Sequence, residues 1–261
     1  MTPSYGVFAQ YYDALTENVA YAARAEALCR LIAKWEQPDM PDRILLDLAC
    51  GTGALSEEFA RRGWDVIGID SSEEMLSEAL DKKYDSGLPI QYLKQDMRRL
   101  DLFGCISVTV CALDSLNHLP QLSDVRRTME RVNLFSNAGA LFLFDLNTEY
   151  KHRCVLAEQC FAFDLPEAFC VWQNHCEDRA PDYPVQIRLD FFEQLADGKY
   201  RRSTEEFSEH IWQPAQIEAL LHETGFTLLE VLDGDSYSAP VPETQRLLYI
   251  ARASGGQQMP E

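Results

Sequence analysis

The chain has 261 residues, 46% hydrophobic and 25% charged, with 23 basic against 42 acidic side chains and a formal net charge of −19. That composition is ordinary for a folded globular protein and excludes collagen-like, disordered and coiled-coil chains. A surface this negative repels phosphate backbones and anionic lipid, which argues against nucleic acid or a membrane surface as the main partner.

Taken in chain order, residues 5–37 read as helical. Tyr5, Phe8 and Tyr12 recur at helical spacing, Leu28, Leu31, Ile32 and Trp35 form a second apolar stripe, and Pro38 and Pro41 end the segment. An apolar run over 43–49 leads into Cys50-Gly51-Thr52-Gly53 and a helix over 54–62. A strand over 65–69 ends in Asp70, and Ser71 or Ser72 caps a helix over 73–84 with Glu73 and Glu74 in its first turn. A third strand over 89–93 ends in Gln95-Asp96. A fourth covers 105–112, a helix follows over 121–135, and a fifth, almost wholly apolar strand covers 139–146. Strands alternating with helices imply a parallel sheet covered on both sides.

From 148 to 211 the pattern changes. Runs over 161–172, 185–195 and 200–211 look like strands of an antiparallel unit, and Asp197-Gly198 is the strongest hairpin-turn signal in the chain. Pro214 then starts a helix to Glu223, and strands over 226–232 and 246–251 follow. The expected organisation is a doubly wound α/β domain of 1–147 with 212–254, a β-rich cap insert over 148–211 and a frayed tail over 255–261.

No stretch approaches the ~20 apolar residues of a membrane helix, and the N-terminus lacks a basic segment followed by an apolar run, so no signal peptide is expected. Cys50, Cys105 and Cys111 lie in apolar segments and read as small buried hydrophobes, and the expected compartment is a reducing cytoplasm. Monomer and homodimer both remain open.

The segment Asp47-Leu48-Ala49-Cys50-Gly51-Thr52-Gly53 ends a strand and opens a helix, where glycines let the backbone approach a ligand. Asp70 ends the next strand, 17 residues after Gly53, and Gln95-Asp96 ends the third. Carboxyl ends of adjacent parallel strands are where open α/β sheets bind ligands. One carboxylate accepting from two hydroxyls suits a ribose diol, as in a nicotinamide dinucleotide or S-adenosylmethionine. The dinucleotide pattern wants a third glycine where Ser56 stands, with a pyrophosphate on the helix N-terminus, yet Glu57 and Glu58 follow there. The acid ahead of the glycines better suits a cationic amino-acid ligand.

These residues resemble the class I S-adenosylmethionine-dependent methyltransferases over about 43–146. Residues 47–53 look like that family's first motif, Asp96-Met97 like its adenine pair, and 111–119 like its fourth-strand motif. The insert after the fifth strand is similar to that of a bacterial small-molecule subgroup. The resemblance implies a Rossmann-like seven-stranded sheet in the order 3-2-1-4-5-7-6, its last strand antiparallel. It implies S-adenosylmethionine as methyl donor and a small-molecule acceptor.

Carried over residue by residue, Asp70 with Ser71 beside it would hold the ribose. Gln95, Asp96 and Met97 would meet the adenine and Met75 would cover its face. Ala49, Gly51 and Gly53 would line the methionine moiety, Asp47 would orient this loop, and Ala112 would wall the donor. Tyr12, on a first helix that closes over the donor, would reach its carboxylate. Asn117, His118, Asp145 and His210 are acceptor-side candidates, with His118 the candidate base. A nicotinamide-dependent oxidoreductase and a non-catalytic donor-binding protein are the alternatives. No metal is expected. Cys154, Cys160, Cys170 and Cys176, beside His152 and His175, contain no Cys-x-x-Cys spacing. There is no Gly-x-Ser-x-Gly or P-loop either.

Overall fold

The structure, a computed structural model, describes residues 6–38, 43–176 and 183–255. Helices α1 (Gly6–Leu15) and α2 (Tyr21–Trp35) precede the sheet. Strands β1 (Ile44–Leu48), β2 (Asp65–Asp70), β3 (Gln91–Lys94), β4 (Ile106–Cys111) and β5 (Ser136–Asn147) pair in parallel. They are linked by α3 (Ala54–Arg61), α4 (Glu73–Ser86), a short turn at Met97–Arg99 and α5 (Leu122–Leu134). After an insert, α6 (Pro214–Glu223) and strands β10 (Phe226–Asp233) and β11 (Arg246–Ala253) complete the sheet, with β11 antiparallel to both β5 and β10. The spatial order is β10-β11-β5-β4-β1-β2-β3. With the insert strands set aside, this is the expected order, and the last strand is antiparallel as expected.

Period-2 alternation sorts the core onto two faces. Leu45, Leu141 and Leu143 face α2 and α3, meeting Leu28, Ile32 and Phe59. Leu46, Phe142 and Phe144 face α5 and α6, meeting Val125, Met129 and Leu221. Both faces are covered, so β4 is buried along its whole length.

The insert forms a second sheet in the order β6 (Cys160–Leu165), β7 (Ala168–His175), β8 (Val185–Gln194) and β9 (Tyr200–Glu209), antiparallel throughout. Val185, Ile187, Leu189 and Phe191 of β8 are buried on one face. That face is covered by α1. Phe8 stacks on Phe207 at 5.8 Å and Tyr11 on Phe191 at 5.7 Å, and Met75 of α4 joins the same cluster.

Four expectations are corrected. The run over 161–172 holds two strands joined by a turn in which Glu167 takes a left-handed φ of 62°. The first helical segment is two helices. Thr16 Oγ1 donates to the Tyr12 carbonyl at 2.8 Å, and Ala20 is left-handed at φ 29°. Cys50 and Cys111 are buried, but Cys105 is exposed because it stands one residue ahead of β4. The segment after β5, read as strand-rich insert, opens with a wide π-type turn at Lys151–Leu156. Tyr5 and residues 256–261 lie outside the described residues.

Candidate active site

The loop from β1 to α3 turns through three left-handed residues, Ala49 (φ 61°), Gly51 (φ 53°) and Gly53 (φ 74°). A Cβ on Gly53 would collide with the Tyr92 hydroxyl, whereas one on Gly51 would meet nothing within 4 Å. The loop is thus tight behind and open in front, the arrangement a close-lying ligand needs. The Gly51 N–H donates to Asp70 Oδ2 and the Ser72 N–H to Oδ1, each at 2.9 Å. Burial raises the Asp70 pKa, against the pull of N–H groups from Ser72, Gly51 and Ser71. An ionised carboxylate offers about four acceptor sites, so Asp70 ties the two loops together and keeps capacity for a diol.

Asp47, 2% exposed, accepts from Ser56 Oγ at 2.5 Å. Burial pushes its pKa up to about 7, with the Asp70 charge adding to the rise. Its oxygens organise the loop and border a cavity of about 40 Å³, which Tyr12, Tyr21, Ala49, Gly51, Ala112 and Ser115 also line. Helix α1 closes this cavity. Thr52 Oγ1 donates to Asp13 Oδ1 at 2.6 Å, and Asp13 pairs with Lys82 of α4. Burial raises the Tyr12 hydroxyl pKa well above its ordinary value.

After β2, Ser72 caps α4 by accepting from the Met75 N–H at 3.1 Å, and Met75 is buried under α1. Ser71 is exposed beside Asp70. Asp96 caps the short turn that contains Met97, accepting the Arg98 N–H at 2.9 Å, and pairs with the Arg98 guanidinium, which lowers its pKa. The Gln95 amide makes both its bonds, at 2.8 Å, to the backbone of Asp101. It is committed to that loop.

The rim after β4 is built on residues 112–118. Leu113 (φ 57°) and Asp114 (φ 55°) are consecutive left-handed non-glycine residues, a costly backbone that its surroundings must hold. Asp145 holds it, accepting the Leu113 N–H at 3.0 Å and the Asp114 N–H at 2.7 Å. Arg246 donates to Asp145 Oδ1 at 2.6 Å and lies 2.7 Å from Asp114 Oδ1. Burial alone would raise the Asp114 pKa, but Arg246, Lys151 and His118 bring it below the usual range.

Asn117, wholly buried, accepts the Asn147 N–H at 3.0 Å and donates to the His210 carbonyl at 2.8 Å. Asn117 and Asp145 therefore spend their side chains inside the rim. The His210 ring stacks on Trp212 at 5.6 Å, and burial lowers its pKa. His118 is different. Its side chain keeps 31% exposure, beside Phe207, with Nε2 4.0 Å from Glu209 Oε1.

Glu209, missed in the sequence, and the buried His152, weighed there only as a neighbour of the cysteines, complete this cluster, with His152 Nε2 3.2 Å from Glu209 Oε2. They come from the end of β9 and from the π-type turn, with no motif to mark them.

A Rossmann-like sheet of this order, with a glycine turn and an acid at the β2 tip, defines the S-adenosylmethionine-dependent methyltransferases, and the chain belongs to that family. A methyltransferase-domain model matches residues 45–133. "Putative methyltransferase YqeM" of Bacillus subtilis (strain 168) is 31% identical over 252 residues, 96% of this chain and 97% of the relative. A crystal structure of an S-adenosylmethionine-dependent methyltransferase from Clostridium acetobutylicum ATCC 824 superposes with a TM-score of 0.82 at 29% identity, over 95% of this chain and 98% of the other. CalS10 of Micromonospora echinaspora, an amino pentose methyltransferase solved with S-adenosylmethionine bound, shares the fold with a TM-score of 0.71 at 18% identity, covering 92% and 95% of the two chains.

Proposed function

We propose that the chain methylates a small-molecule acceptor held between the β4 rim and the insert. The observation that carries this reading is the roof. Helix α1 packs on the insert sheet, and its Tyr12 borders a cavity of about 40 Å³ with the loops that follow β1 and β4, so the helix that roofs the strand tips is tied to the insert, an arrangement suited to a small acceptor shielded from water. The amino pentose named for CalS10 supports the same acceptor class.

When bound, S-adenosylmethionine supplies an activated methyl group, whose transfer depends chiefly on alignment and dryness. Asp70, with Ser71 at its side, fixes the ribose. Asp96 and Met97 hold the adenine edge, Met75 backs it, and Gln95 shapes that loop. Ala49, Gly51 and Gly53 bed the methionine moiety, Asp47 fixes the bed, Ala112 walls it and Tyr12 covers it. On the other side His118 meets the acceptor, on a rim braced by Asn117, Asp145 and His210. The eight cysteines, none in a disulfide, support a reducing compartment.

Calorimetric titration with S-adenosylhomocysteine and with NADH tests the donor half. The first should bind and the second should not. Asp70→Ala removes charge-assisted hydrogen bonds and should weaken binding by about tenfold or more; an unchanged dissociation constant removes Asp70 from the site. Methyl-labelled donor added with the protein to heat-inactivated whole-cell extract, which retains its proteins and RNA, tests the acceptor half. Label recovered in ultrafiltrable compounds supports the reading, and label confined to protein or RNA overturns it.

A further inference from the structure

We propose that Asp114, His118 and Glu209 bind a divalent cation that takes mixed nitrogen and oxygen ligands, such as Mn2+, Fe2+ or Zn2+. Their ligand atoms all lie within 4.8 Å of one another, although the residues come from the left-handed turn after β4, the short turn Ser115–His118 and the end of β9. One imidazole and two carboxylates are a donor set suited to such metals.

A second observation points to the same place. His152 is wholly buried, neither of its ring nitrogens makes a hydrogen bond, and Nε2 lies 3.2 Å from Glu209 Oε2. A buried imidazole that makes no hydrogen bond asks for an explanation. One facing a carboxylate at the edge of a ligand cluster is a ready fourth ligand or an outer-shell neighbour.

The local cations leave room. Arg246 sits on Oδ1 of Asp114, and a carboxylate with about four acceptor sites keeps capacity beside that contact. Lys151 Nζ donates to Asn147 Oδ1 at 2.8 Å. Among the described residues, only the two histidines lie within ion-pair distance of Glu209. The cluster bridges the methyltransferase sheet and the insert, so an ion there would fix the cap against the rim. Its further role, holding an acceptor through an oxygen or nitrogen, rests on the reading of this rim as the acceptor side.

The test uses the full chain, stripped with a chelator. MnCl2 is titrated while the electron paramagnetic resonance signal of the free ion is followed, and ZnCl2 is titrated by calorimetry. One ion per chain is expected. Glu209→Gln, which keeps an acceptor for Asn147, and His118→Ala, at the most open ligand, should each weaken binding by at least about tenfold. Both should still bind S-adenosylhomocysteine, which shows that they are folded. No bound ion, or equal affinity in wild type and both variants, overturns the site. If the stripped wild type takes up an ion that the variants lose but does not bind S-adenosylhomocysteine, the site stands and the methyl-transfer reading falls.

Discussion

Asp47, near the end of β1, carries its charge at a cost. Burial first, and the Asp70 charge after it, hold its pKa near 7 against the Ser56 hydrogen bond, whereas an unfolded aspartate titrates near about 4. The folded state binds this proton more tightly than the unfolded one. The stability contributed is complete below about pH 4 and is lost as pH rises through about 7. Asp47→Asn keeps an acceptor for Ser56 and removes the titration. Between about pH 5 and about pH 8 the variant should gain on the wild type by on the order of 1–4 kcal/mol in urea unfolding. A difference that does not change with pH would place the Asp47 pKa in the ordinary range. The grouping of Asp47, the glycines, Asp70 and Asp96 was legible because they stand at strand tips that follow one another in the chain. The cluster beyond β4 was not. Glu209 and His152 reach His118 only through the packing of the insert, and sequence does not tell that the Gln95 amide turns back onto Asp101.

At the scale of elements, alternating strands and helices made the parallel sheet readable, and the flanking turn signals placed most boundaries within a few residues. The hairpin between β6 and β7 escaped because Pro166-Glu167 is not a glycine turn and the flanking residues are apolar on both sides. Helix α1 held a further surprise. Its aromatic stripe packs mainly on the insert sheet, and Glu205 of β9 accepts the Val7 and Phe8 N–H groups at 2.8 and 2.9 Å, capping its first turn. The helix whose Tyr12 borders the cavity is thus held by the insert sheet. Tyr12 of α1 borders the cavity and Asp13 accepts from Thr52 in the loop after β1, so amide exchange over 6–15 should slow when S-adenosylhomocysteine binds. Glu205→Ala removes the acceptor for two N–H groups and should cost α1 about 1–2 kcal/mol. The expected readout is faster exchange confined to α1 and a weaker affinity for S-adenosylhomocysteine. Exchange unaffected by ligand in the wild type would make α1 a static part of the core.

Over the whole molecule, the two sheets are joined by buried polar bonds as well as by α1. Asn117 links the β4 rim to the tip of β5 and to His210 beyond β9. The His210 N–H returns to the Asn117 carbonyl at 2.7 Å. Asn147 Nδ2 donates to Glu209 at 3.0 Å, and Trp212 Nε1 donates to the Leu116 carbonyl at 3.0 Å. Bonds of this kind are strong because neither partner can turn to water once buried. The insert cannot leave the methyltransferase sheet without exposing them and the aromatic cluster under α1 together. The chain should therefore unfold in one calorimetric transition whose van't Hoff and calorimetric enthalpies agree. Asn117→Ala leaves the Asn147 N–H and the His210 carbonyl buried without their partner, at a cost of about 2–4 kcal/mol. In a coupled molecule the whole transition moves to lower temperature and stays single. If the insert were an independent unit, the variant would split the transition in two, with β6–β9 melting first and the seven-stranded sheet keeping the wild-type temperature.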